Sequence, residues 1–153
     1  MLHTLAREQI LPISLQEAWE FFSSPRNLEA MTPPDLGFRI VLCPVERMHE
    51  GQIIEYRVEI LPGLWVPWVS EIKAVEEGRS FIDEQRFGPY KLWHHRHLFE
   101  AVEGGVKVTD LVHYIMPMGP LGSIAHGLFA RRKLERIFEF RRTELERRFG
   151  RRS

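Results

Sequence analysis

Ser80-Phe81-Ile82-Asp83-Glu84-Gln85-Arg86-Phe87-Gly88-Pro89-Tyr90-Lys91-Leu92-Trp93-His94-His95-Arg96-His97-Leu98-Phe99-Glu100-Ala101-Val102 reads as two strands interrupted by Gly88-Pro89. Successive side chains on a strand point to opposite faces. In Tyr90–Val102 one face therefore holds Trp93, His95, His97, Phe99 and Ala101, and the other Tyr90, Leu92, His94, Arg96, Leu98 and Glu100. The second set is the more charged, which puts the first inside. In Ser80–Phe87 the expected inner set is Phe81, Asp83, Gln85 and Phe87.

The same punctuation recurs on either side. Strand-like segments occupy Phe38–Leu42, Gln52–Ile60, Trp65–Val75 and Val106–Met116 as well. The breaks are Glu50-Gly51, Leu61-Pro62-Gly63, Glu77-Gly78, Gly88-Pro89 and Gly104-Gly105, hairpin signals at close spacing. Connections this short leave no room for crossover helices, so the sheet is antiparallel. Thr4 to Leu11 reads as a further strand. Ser14-Leu15-Gln16-Glu17 is a capping box, and the short helix it opens is stopped by Ser24-Pro25. A second short helix covers Arg26 to Met31, ended by Thr32-Pro33-Pro34. Leu121 to Phe149 carries Leu121, Ile124, Leu128, Leu134, Ile137, Phe138, Leu145 and Phe149 at intervals that suit a long amphipathic helix.

The expected fold class is α+β, a single domain over residues 1–153. A curved seven-stranded antiparallel sheet carries two short helices and one long C-terminal helix. One helix cannot cover such a sheet tightly, so a cavity between them is expected.

Composition narrows the function classes. Lys+Arg and Asp+Glu are 21 each, a formal net charge of zero, which argues against a nucleic-acid binder. No apolar run approaches the roughly 20 residues of a membrane span. Met1 to Arg7 lacks the pattern of a signal peptide. Cys43 is the single cysteine, which excludes an internal disulfide and a multi-cysteine metal site. A cytoplasmic location is the corresponding expectation. No Gly-x-Gly-x-x-Gly or P-loop occurs, and the surroundings of Ser123 are not the Gly-x-Ser-x-Gly elbow of hydrolases.

Three blocks of the chain resemble the SRPBCC (START-like, helix-grip) superfamily. They are Ser14-Leu15-Gln16-Glu17-Ala18-Trp19-Glu20-Phe21-Phe22, Asn27-Leu28-Glu29-Ala30-Met31-Thr32-Pro33-Pro34, and Asp83-Glu84-Gln85-Arg86-Phe87-Gly88-Pro89-Tyr90 continuing through Trp93-His94-His95-Arg96-His97. That superfamily includes START domains, pollen-allergen-like carriers, polyketide cyclase/dehydrase-like proteins and coenzyme Q-binding proteins. The resemblance covers nearly the whole chain and is closest to bacterial single-domain members. It implies a small hydrophobic or aromatic ligand, lipid, polyketide or quinone-like, held in an internal cavity. Its members' activities differ on one scaffold, so it does not settle the chemistry.

The expected ligand-binding set combines an apolar wall of Trp68, Phe81, Trp93, Phe99, Tyr114 and Leu128 with a polar group of Asp83, Gln85, His95, His97 and Asp110. Imidazoles and carboxylates on one concave face are compatible with three roles. They can orient a carbonyl or hydroxyl of a ligand. They can act as acid and base in a cyclase/aromatase-like reaction, with His95, His97 and Asp83, and Tyr114 beside them, as the catalytic candidates. Or they can satisfy one another. His95-Arg96-His97 also has the spacing of some zinc and iron sites, with Asp83 or Asp110 as a third ligand. No further sequence signature supports a metal, and no cofactor or tightly bound metal is expected. Arg131 to Ser153 holds nine arginines and Lys133 against four glutamates. This segment reads as a solvated helix face with Glu–Arg pairs, with peripheral contact to an anionic membrane as the alternative.

Overall fold

The structure, a computed structural model, describes residues 1–43, 45–117 and 119–151, and the side chains of the last helix from residue 129 onward. The elements in order are β1 (Leu2–Leu11), α1 (Leu15–Phe22), α2 (Arg26–Ala30), β2 (Phe38–Leu42), β3 (Ile53–Leu61), β4 (Leu64–Glu76), β5 (Ser80–Phe87), β6 (Leu92–Val102), β7 (Gly105–Ile115) and α3 (Pro120–Phe149). The seven strands form one sheet in the order β1-β7-β6-β5-β4-β3-β2. Every pairing is antiparallel; short connections require this from β3 to β7, while β1 joins β7 from the other end of the chain.

Local chemistry accounts for the helix ends. Ser14 caps α1 by accepting from the Glu17 backbone N–H at 3.1 Å, while the Glu17 carboxylate accepts from the Ser14 N–H at 2.9 Å. Pro120 opens α3, where its missing N–H costs nothing. Gly150 follows its end at φ 92° and donates to Glu146 O, and Arg147 and Arg148 complement the dipole of the last turn. Leu121, Ser123 and Ile124 have side chains outside the described residues.

Bulges interrupt the register between β2 and β3, β3 and β4, and twice between β4 and β5. Each adds local twist, and together they coil the sheet. The bulge at the end of β5 also corrects one expectation. Ser70 pairs with Gln85 but Val69 pairs with Phe87, so β5 advances two residues while β4 advances one. The alternation changes phase at Arg86, and Phe87 faces solvent, 63% exposed, instead of the concave side. Ala101, expected inside, is exposed beside the β6–β7 turn.

One end of the sheet is filled by α1, whose Ala18, Trp19 and Phe22 are buried. Trp19 and Phe22 meet Phe99 with ring centroids 5.7 and 5.3 Å apart. The buried face of α3 is Ala130, Leu134, Phe138, Arg141 and Leu145, one stripe at helical spacing. Leu134 and Phe138 join Leu5, Trp93, Val112 and Tyr114 in a second core cluster.

Gly105 shows how tightly β1 closes on β7. A Cβ there would lie 2.0 Å from Leu11 O, and φ is +154°. At Gly63, φ is +78° and the surroundings are open. Gly105→Ala therefore combines strain with overlap and should cost about 3 kcal/mol, against ~1 kcal/mol for Gly63→Ala. Urea unfolding of the two variants measures the difference; equal costs would mean that β1 does not approach the turn this closely.

Candidate functional site

A pocket of about 670 Å³ opens between the concave face of the sheet and α3. Met31 and Phe38 lie at one side, Tyr56 and Trp68 come from β3 and β4, and Leu134, Ile137 and Phe138 from α3. Asp83, His95 and His97 are its polar floor. Strand register brings these three together with Asp110. Asp83 is opposite His95, and His97 is opposite Asp110. All four side chains point to the concave face, so each imidazole meets one aspartate directly and the other diagonally.

The geometry is two-sided. His95 Nδ1 and His97 Nε2 lie 3.2 and 2.8 Å from Asp83 Oδ2. The other nitrogens turn to Asp110 Oδ1, with His95 Nε2 at 2.7 Å and His97 Nδ1 at 3.2 Å. The last contact is not aligned as a hydrogen bond, and His97 Nδ1 is buried without a partner. The two imidazole centroids are 3.8 Å apart. Trp93 Nε1 donates to the remaining oxygen of Asp83 at 3.2 Å. Arg141 Nη1 reaches Asp110 Oδ1 at 3.4 Å, and its guanidinium lies 4.8 Å from the Phe138 ring centroid.

Burial and charge compete at every member of this group. Burial pushes both carboxyls up, but it is outweighed. At Asp83 the charge of His95 and hydrogen bonds from both imidazoles hold the group below the usual carboxylate range. At Asp110 the imidazole hydrogen bonds and the Arg141 charge hold it well below. Burial alone would lower His95, but the Asp83 charge and the bonds to both aspartates raise it. The direction follows from donor counting: an ionised carboxylate only accepts, so an imidazole between two of them is best matched with both nitrogens protonated. Two carboxylates, one guanidinium and one imidazolium sum to zero, the balance that burial favours. Tyr56, on the pocket wall, is pushed well above its ordinary value by burial and then by the Asp83 charge.

Of the residues expected at the site, Trp68, Phe81, Asp83, Trp93, His95 and His97 line the pocket. Four do not. Asp110 stands behind the imidazoles. Phe99 belongs to the core around α1, and Tyr114 packs in the cluster with Leu134 and Phe138. Gln85 closes the β5–β6 connection, donating to Tyr90 O at 2.7 Å and accepting from Tyr90 N at 3.2 Å. The side chain of Leu128 lies outside the described residues.

Sequence reasoning missed Arg141 and Tyr56. Arg141 falls on the helical stripe of Leu134, Phe138 and Leu145, and a cation at that position was the available signal. Tyr56 shares its strand face with Ile54, both buried, and nothing in its spacing marked it as a wall residue. Other cations of α3 are engaged as well: Arg131 with Glu135 at 3.0 Å and Arg142 with Glu146 at 2.8 Å on the outer face, and Lys133, half-buried on the pocket lining, donating to Glu59 O at 2.7 Å. Among the described residues no helix is long and apolar enough to cross a membrane.

No protein-family model matches the chain, and no curated protein matches it in sequence. Solved structures do match in shape. The ZhuI aromatase/cyclase from Streptomyces sp. R1128 superposes with a TM-score of 0.73 at 9% identity, over 95% of this chain and 92% of that one. Protein TTHA0849 from Thermus thermophilus gives 0.71 at 15% identity, over 96% and 97%. Ara h 8.0201 gives 0.60 at 18% identity, over 95% and 98%. Likeness at these identities shows the fold alone: the chain has the helix-grip fold, the long α3 held against a coiled seven-stranded sheet.

Proposed function

We propose that the protein binds a small, mainly apolar molecule whose oxygen-bearing end rests on Asp83, His95 and His97. The observation that carries this reading is the position of that charged floor beneath aromatic and aliphatic walls. A volume of about 670 Å³ is within the range of pockets that hold compact organic ligands. The walls supply the area and the floor fixes orientation: Asp83 keeps lone pairs to accept from a ligand hydroxyl, and an imidazole N–H now on Asp83 can exchange that partner for a ligand carbonyl. Two helix-grip neighbours, an aromatase/cyclase and Ara h 8.0201, support this class of function without naming a ligand.

A pair of aromatic probes tests the floor. 1-Naphthol should bind more tightly than naphthalene by about tenfold or more, the value of one hydrogen bond to a charged group at roughly 1.5–3 kcal/mol. Asp83→Asn and His97→Gln should reduce that preference, as read from quenching of tryptophan fluorescence. Equal affinities in the wild type would remove the orienting role. Filling the pocket from α3 tests the site itself. Ile137→Trp should weaken both probes by at least about tenfold, ~1.4 kcal/mol; unchanged binding would place the probes elsewhere.

The second reading is a cyclase/aromatase-like enzyme in which the Asp83–His97 and Asp83–His95 contacts move protons at a carbonyl. The Asp–His pairing on the floor and the likeness to an aromatase/cyclase favour it. Turnover of a linear poly-β-ketone to a ring product, abolished by Asp83→Asn while 1-naphthol still binds, would establish catalysis. Binding without turnover leaves the carrier reading.

A further inference from the structure

We infer that Asp83, His95 and His97 form a binding site for a divalent first-row transition metal, opening into the pocket. The sequence offers the His95/His97 pair with Asp83 or Asp110 as a third ligand, and without a further signature no metal is expected from it. The fold selects Asp83 as the third ligand and adds the groups around all three.

Asp83, His95 and His97 each offer one ligand atom, and the three lie within 4.8 Å of one another; the nitrogens that face Asp83 are His95 Nδ1 and His97 Nε2. Asp83 Oδ2 is 3.2 and 2.8 Å from the two nitrogens. Ligands at right angles around a metal, each roughly 2.1 Å from it, are about 3.0 Å apart. The observed spacings therefore need only small adjustment to surround one ion on a single face, leaving the pocket side for further ligands. Two imidazoles and one carboxylate suit zinc or ferrous iron; calcium and magnesium prefer all-oxygen sets.

The groups behind the three ligands are those a metal site would also use. Metal-bound imidazoles characteristically direct their other nitrogen to a carboxylate, which fixes the ring. Here His95 Nε2 is hydrogen-bonded to Asp110 Oδ1 at 2.7 Å, and His97 Nδ1 lies 3.2 Å from the same oxygen without an aligned hydrogen bond. Asp110 is itself backed by Arg141. The carboxylate ligand is held too, since Trp93 donates to the Asp83 oxygen that faces away from the two imidazole nitrogens. Asp110 and Arg141 cancel in charge. A dication on two neutral imidazoles and Asp83 then carries one net positive charge, which one anionic oxygen would balance. Resting on the pocket reading above, this assigns a preference for ligands that present such an oxygen, as a phenolate or enolate does.

Titration of metal-stripped protein with Co(II) alone tests the site by its visible d–d absorption, with Zn(II) displacing it in a calorimeter. The expected result is one Co(II) per chain. His97→Ala and Asp83→Asn should abolish the signal, and Asp110→Asn should weaken binding by about 10- to 100-fold at unchanged stoichiometry. His94 and His113 form a separate pair with ring centroids 6.0 Å apart. The His94→Ala/His113→Ala double variant must therefore retain the metal. Absence of both visible absorption and Zn(II) heat in the folded wild type overturns the inference. So does binding that survives in His97→Ala or disappears in the His94→Ala/His113→Ala variant. Probe binding without metal would leave the pocket reading intact, so the two proposals fail separately.

Discussion

Asp110 is the constraint on which the arrangement of sheet and helix depends. Its side chain is 9% exposed, and a buried carboxylate keeps its charge only when partners replace water. Two partners come from β6 and one from α3. The imidazoles require His97 to be directly opposite Asp110, which fixes the β6–β7 register. The guanidinium requires α3 to present Arg141 inward, which fixes the rotation of the helix about its axis. A buried ion cluster adds little net stability, yet losing one member costs about 3–5 kcal/mol. Its effect is therefore selective: other registers and rotations strand a charge, and the native arrangement does not.

That anchoring decides where the sheet and helix part. Near the C-terminal end of α3, Leu145 joins the core cluster of α1, and Phe149 meets Phe21 with centroids 5.0 Å apart. Along its middle, Leu134 and Phe138 reach the cluster of Leu5, Val112 and Tyr114 at the β1–β7 side. Toward β3 and β4 the coiled sheet leaves the helix, and Phe129 is 57% exposed at the rim. The pocket is the wedge between these surfaces. Its floor is charged because β5, β6 and β7 cross beneath it at the level of Asp83, His95 and Asp110.

The strand pattern was legible because turn chemistry and alternation are local. Phe38–Leu42 and Ser80–Phe87 have the same limits in sequence and structure, and the other elements differ by one or two residues. The pairing of aspartates with histidines was legible for the same reason, since consecutive hairpins make neighbours of consecutive strands. What could not be read locally was phase and depth. The bulge at Arg86 depends on how β4 twists, so Phe87 was placed on the wrong face. Phe99 and Tyr114 do point inward, but α1 and α3 cover them, and no spacing within β6 or β7 records that cover. Arg141 was overlooked because a cation on a helix is ordinarily solvated. Its place on the Leu134–Phe138–Leu145 stripe mattered more than its charge.

The charged floor also limits what the proposed pocket can hold. Covering Asp83 with hydrocarbon removes water from a charged group, at a cost of about 1–3 kcal/mol or more. Each buried methylene returns about 0.8 kcal/mol. A purely apolar ligand thus loses the benefit of several methylenes at the floor. A multiply charged ligand loses its hydration along walls that offer few partners. The molecule that avoids both costs is apolar along its length and carries one oxygen-rich end. If that end meets a metal on Asp83, His95 and His97, the net charge favours an anionic oxygen; if it meets only the imidazolium cluster, whose charges already sum to zero, a neutral hydroxyl or carbonyl serves. The floor therefore converts a question about cofactor content into a question about ligand charge, and the apolar walls are the same in either case.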